Sequence, residues 1–202
     1  MRLYRVGTRL LPWTVCGLLT AAVACPGRFA DGPPGANRLR AGHAPTPFSA
    51  EALRNGCREG VWRLYRVATR GRPPSYRILR FEKANATGVV VVSAMTDLKG
   101  RPFGEQRRVN VRWKGLQSHG SFPAGATTIR TEKRTTPAGT FDCWRYEVER
   151  RVPGGQEVRQ FWFAKGLPGP PVDLIQRVDG KVVQRMTLVS AGVRIDRSGP
   201  GK

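Results

Sequence analysis

The chain is 202 residues long and carries 35 Lys and Arg against 14 Asp and Glu, a net charge of +21 with a pI near 11.4. So basic a chain prompts a nucleic-acid or membrane-surface reading, yet the charge is scattered and no run of five or six bases exists, which excludes a concentrated basic tail. Four cysteines and two histidines with neither CxxC nor HxxxH spacing exclude a recognisable metal motif.

Met1 to Arg9 holds Arg2, Arg5 and Arg9 and no acid, and Leu10 to Ala24 is almost wholly apolar. This is the charged front and hydrophobic middle of an export signal, assigned to residues 1–24. The apolar run is shorter than the ~20 residues that cross a bilayer. "AVAC", Ala22 to Cys25, admits two outcomes at the bond after Ala24: ordinary cleavage, or cleavage by a lipoprotein peptidase that leaves Cys25 acylated as a membrane anchor. Ala22 stands where a lipobox usually has Leu, which speaks against acylation. An odd cysteine in an oxidising compartment speaks for it. Residues 25–47, rich in Pro, Gly and Ala, read as a flexible linker with a reach on the order of 25 Å.

A short helix follows. Ser49 is suited to accept from first-turn N–H groups, Glu51 complements the helix dipole, Phe48 staples onto Leu53, and Asn55-Gly56 ends the element. From Val61 to Ser190 the chain reads as strand after strand: "VWRLYRVA", "SYRILRFEK", "TGVVVVSAM", "RRVNVRWK", "ATTIRTEKR", "TFDCWRYEVERR", "QEVRQFWFAK", "PVDLIQRV" and "KVVQRMTLVS". In "RRVNVRWK", Val109, Val111 and Trp113 alternate with Arg108, Asn110, Arg112 and Lys114. Turn residues separate the runs, and Asp179-Gly180 in "VDGK" predicts a type I′ hairpin. Without any βαβ alternation, the fold class is mainly β: a single curved antiparallel sheet or half-barrel of about nine strands with one short N-terminal helix. The β domain is assigned to 48–192 and a disordered tail to 193–202.

Cys16 falls in the signal, so the mature domain keeps Cys57 and Cys143. Outside the cytoplasm these are expected to form a disulfide, contributing about 4 to 5 kcal/mol in the chain-entropy model. A nucleophilic role would need an adjacent base, and only His43 and His119 exist. In "TPAGTFDCWRYEV" the turn Thr136 to Gly139 launches a strand on which Phe141 and Cys143 share one face while Trp144, Tyr146 and Val148 take the other. Such a strand is covered on both faces near its start.

"TPAGTFDCWRYEV", followed by "FWFAKGLPGPPVDLIQRVDGKVVQRMTLVSAG", resembles the C-terminal half of an uncharacterised family of exported bacterial proteins labelled TapB-like. The shared landmarks are the Pro-Ala-Gly-Thr-Phe turn, an aromatic-Trp-Ala step, a Pro-Gly bend and a last hairpin ending in "L..SAG". The resemblance implies a curved antiparallel sheet similar to LolA and LolB lipoprotein carriers, and it carries over no catalytic residue.

The leading functional reading is an exported, non-enzymatic envelope module in the periplasm or cell envelope. Its concave sheet would hold a lipid or other apolar ligand, with Trp113, Phe141, Trp144, Phe161, Trp162 and Phe163 as the candidate face. The alternative is a basic surface, carrying arginines such as Arg63, Arg66, Arg77, Arg80, Arg112 and Arg159, that binds acidic envelope polymers or lipid headgroups. Nucleic acid ranks last, since an exported chain does not meet the genome. A hydrolase built on Asp142, Glu147 and Glu149 has no supporting motif, and the sequence calls for no catalytic residue, cofactor or metal.

Overall fold

The computed structural model describes residues 37–99, 101–153 and 155–194. The export signal, Cys16, Cys25, most of the assigned linker and the C-terminal tail therefore lie outside the described residues. Nine strands form one antiparallel sheet: β1 (Val61–Thr69), β2 (Ser75–Glu82), β3 (Gly88–Thr96), β4 (Pro102–Arg112), β5 (Thr127–Thr136), β6 (Gly139–Val152), β7 (Gly155–Ala164), β8 (Asp173–Val178) and β9 (Lys181–Val193). Their spatial order is β4-β3-β2-β1-β9-β8-β7-β6-β5. Two meanders thus meet at the β1–β9 pair, and the chain passes from one edge of the sheet to the other between β4 and β5.

Laid flat, nine strands spaced at ~4.8 Å would set their edges nearly 40 Å apart. The sheet instead curls. Phe81 and Val89 of one meander share a single core cluster with Ile129, Tyr146 and Phe163 of the other. Helices α1 (Ala50–Gly56) and α2 (Trp113–Ser118) fill the concave face. The Ser49 hydroxyl caps α1 by accepting from the Ala52 N–H at 3.1 Å, as its sequence predicts. The two helices are tied through Gln117, whose Oε1 accepts from the Ala50 N–H at 3.1 Å and whose Nε2 donates to the Thr46 hydroxyl at 3.0 Å.

Three features depart from the sequence reading. Trp113, read as the last inward residue of a strand, opens α2, where its indole N–H donates to the Asn85 carbonyl at 2.9 Å. Ala44 and Thr46, inside the assigned linker, are fully buried, and the Tyr146 hydroxyl donates to the Pro45 carbonyl at 2.8 Å. Arg63, counted among the solvated arginines, is fully buried. The turn chemistry reads true: Asp179 (φ +47°) and Gly180 (φ +74°) close the β8–β9 hairpin in the left-handed region that a type I′ turn requires.

Candidate functional site

The expected Cys57–Cys143 disulfide is not formed. Cys57 and Cys143 are both free thiols, fully buried and in different core clusters. Cys57 follows α1 beneath the bend at Pro168, and its thiol donates to the Pro168 carbonyl at 3.7 Å. Cys143 lies on β6, and its thiol donates to the Phe141 carbonyl at 3.6 Å. Burial pushes the Cys57 thiol up to about 11, against a smaller opposing pull from Arg63, and pushes the Cys143 thiol up to about 12, with Asp142 and Glu132 adding to the rise. Both stay protonated and unreactive at neutral pH. Each thiol is packed by its own neighbours, so the pairing expected of two cysteines outside the cytoplasm is not made.

The six aromatics proposed as a ligand face do not line an open concavity. Trp113, Trp162 and Phe163 are buried, and Phe141, Trp144 and Phe161 are half-buried. Phe48 meets Trp144 at 5.8 Å and Phe163 at 6.2 Å, both edge-on, and Phe122 stacks on Phe161 at 5.0 Å. The chain's own rings thus occupy the place where an acyl chain was expected. The six also divide between two clusters. Trp113, Trp144, Phe161 and Phe163 pack with the helices, while Phe141 and Trp162 pack with Cys143. The two-sided cover expected for the start of β6 is therefore present.

Of the three acids on that strand, Glu147 and Glu149 are engaged with other side chains, while Asp142 is exposed. Glu147 pairs with Arg145 and Gln160; burial alone would raise its carboxyl, but these hydrogen bonds and nearby charge hold it below the ordinary carboxylate range. Glu149 accepts from Gln156 Nε2 at 2.9 Å. His43 Nδ1 meets the Ser121 hydroxyl at 3.0 Å, a contact invisible in the sequence because 78 positions separate the two. A backbone bridge between His43 and Pro123 lies beside it, so the pair fastens the incoming chain to the segment after α2. Among the described residues no group of three or more His, Cys, Asp or Glu could hold a metal ion.

The open surface lies on the other side of the sheet. On β1 and β2, Val61 and Phe81 pack into the helix-side core, so Trp62 and Arg80, which sit directly opposite each other, project from the helix-free face. The same alternation places Arg66 with Tyr76, and on β3 and β4 Val92 with Arg108, on that face. A groove of about 670 Å³ opens at the start of β1, lined by Glu59, Gly60, Trp62, Ile78, Arg80, Phe81, Glu82, Lys83 and Arg194. None of the six proposed aromatics borders it. Arg66, Arg80 and Arg112 are exposed and make no ion pair among the described residues, whereas Arg108 pairs with Glu82 at 2.6 Å.

No family model matches the chain, and no curated protein matches it. The TapB-like and lipoprotein-carrier resemblances therefore rest on the motif residues alone. Among solved structures, the chain is similar to one from Bacteroides fragilis described as an exported protein with a YmcC-like fold (13% identity, TM-score 0.43, 67% of this chain and 96% of that one). It is likewise similar to one from Parabacteroides distasonis described as a lipoprotein (13%, 0.44, 67% and 96%). MucB, also solved in a complex of Pseudomonas aeruginosa MucA and MucB, is similar at 10% identity and a TM-score of 0.47, over 75% of this chain and 58% of MucB.

Proposed function

We propose that this chain is an extracytoplasmic binding module that holds acidic polymers of the cell envelope against the helix-free face of its sheet. The export reading rests on Arg2, Arg5 and Arg9 ahead of the apolar run Leu10 to Ala24. The single observation that carries the binding reading is the contrast between the two faces. Phe48, Phe122 and the two helices fill the concave one, while on the other Arg66 beside Tyr76, Arg80 beside Trp62, and Arg112 on the edge strand stand unpaired among the described residues. An exposed guanidinium without a carboxylate partner adds little to stability and is free to exchange water and small ions for a polyanion.

Binding of this kind weakens steeply with salt, because neutralising the polymer releases its counterions. The test is retention on a heparin column across a salt gradient. Retention at low and moderate salt that is lost at high salt is expected; passage in the flow-through at low salt, or retention indifferent to salt, overturns the reading. Acylation of Cys25 would tether the module to a membrane, and the mass of the N-terminal peptide from native membranes decides between the anchored and soluble forms.

A further inference from the structure

We propose that the groove at the start of β1 is a subsite for one acidic sugar unit, a uronate, of the polymer that the helix-free face holds; the proposal rests on the polyanion reading above. What singles the groove out is the setting of Trp62. Its cross-strand neighbour on β9 is Gly192, and a Cβ at that glycine would come 2.9 to 3.1 Å from three atoms of the indole, Cζ2, Cε2 and Nε1. Any side chain there would displace the ring, so the glycine is what lets a large indole settle on the sheet beside an open hollow. On β2, the residue opposite Trp62 is Arg80. A flat π surface flanked by a guanidinium suits the C–H face of a pyranose ring with its carboxylate reaching the cation.

The rest of the lining favours a sugar over other anions. Lys83 is exposed and makes no ion pair among the described residues, giving the carboxylate a second cation within the same groove. Glu59 and Glu82 also border the groove. Glu82 is already paired with Arg108, whereas the Glu59 carboxylate repels the closely spaced phosphates of a nucleic acid or a polyphosphate and can accept hydrogen bonds from sugar hydroxyls. Ile78, two residues before Arg80 on β2 and so on the same face, adds an apolar side chain to the lining.

The probes are hexagalacturonate, a neutral glucose hexamer, an inorganic polyphosphate and a single-stranded oligonucleotide, each titrated calorimetrically at low salt against the full mature chain. The wild type is expected to bind the uronate hexamer more tightly than the polyphosphate or the oligonucleotide and to bind the neutral hexamer weakly. Trp62→Ala should weaken uronate binding about tenfold, equivalent to about 1.4 kcal/mol, and leave polyphosphate binding within about twofold. Trp62→Phe, which keeps a ring, should restore most of the affinity, and a thermal melt of each variant separates loss of the platform from loss of the fold. If Trp62→Ala leaves uronate binding unchanged, the subsite is overturned and the polyanion reading survives. If the wild type binds none of the anions, the polyanion reading itself fails. Oligonucleotide binding that is tighter than uronate binding and depends on Trp62 overturns the sugar assignment in favour of base stacking.

Discussion

The two meanders of this sheet spend their charge in opposite ways. Across β5–β9 the acids Glu132, Glu147, Glu157 and Asp173 each engage arginines: Asp173, fully buried, takes Arg134 and Arg185, and Glu157, 2% exposed, takes Arg150 and Arg159. Across β1–β4 only Asp97 and Glu82 form ion pairs among the described residues, with Arg101 and Arg108. Between residues 58 and 114 the acids are Glu59, Glu82, Asp97 and Glu105, outnumbered more than three to one by Lys and Arg. The β5–β9 half uses its arginines as internal fasteners. The β1–β4 half leaves them to solvent, and the groove opens there.

That asymmetry predicts that damage to β5–β9 shows as lost stability and damage to β1–β4 as lost binding. The largest effect is expected from Phe48→Ala, which removes the ring wedged against Trp144 and Phe163; truncating a buried Phe costs about 3 to 5 kcal/mol, readable as a lower urea midpoint. Asp173→Ala should come next. It strands Arg134 and Arg185 and leaves the Thr187 hydroxyl without its acceptor at 2.8 Å, and breaking a buried pair costs about 3 kcal/mol, at the lower end of the usual range because both arginines are partly exposed. Gly169→Ala tests the bend over β1. Gly169 has φ +140°, and a Cβ there would sit 2.9 Å from Arg63 Nη2 and 3.0 Å from Cys57 Sγ, so a loss of about 1 to 3 kcal/mol is expected.

Acid should also act mainly through β5–β9. Burial alone would raise the Glu157 carboxyl, but hydrogen bonds and charge from Arg150 and Arg159 outweigh it and hold it low; Glu147 is held low in the same sense by Gln160 and Arg145. Carboxyls depressed in the folded state contribute stability above their unfolded value, about 4.3 for Glu, and lose it as pH falls through the folded value. Denaturant midpoints are therefore expected to hold from neutrality down to about pH 4.3 and to fall below it, less so in a Glu157→Gln variant already weakened at pH 7. At the small end, Arg66→Ala, Arg80→Ala and Arg112→Ala should each shift stability by no more than about 0.5 kcal/mol. A reductant should leave the melting temperature unchanged, since the cysteines are unbonded.

Strand order along the chain, the type I′ hairpin and the Ser49 cap were legible because each rests on local rules: alternation, turn chemistry and a hydroxyl ahead of a helix. Helix α2 was not, because "WKGLQS" has Gly115 inside and no side-chain cap, and tertiary bonds through Gln117 and Trp113 hold it instead. Arg63 was misplaced for a related reason. Its position in β1 alternates correctly, but its guanidinium is buried by carbonyls of a distant bend, Leu167 O at 3.4 Å and Pro168 O at 2.7 Å. The groove depends on Gly192 lying opposite Trp62, a pairing of the first strand with the last that no local pattern announces.

A net charge of +21 alone would bring many surfaces to a polyanion, so the site must be separated from the total. The direct measurement compares heparin elution of two triple charge reversals that change net charge equally: Arg66→Glu, Arg80→Glu and Arg112→Glu on the β1–β4 half, and Arg130→Glu, Lys133→Glu and Arg151→Glu on the β5–β9 half. The first is expected to elute at a much lower salt concentration than the wild type and the second close to it. Equal shifts for both would contradict a binding face confined to the open half.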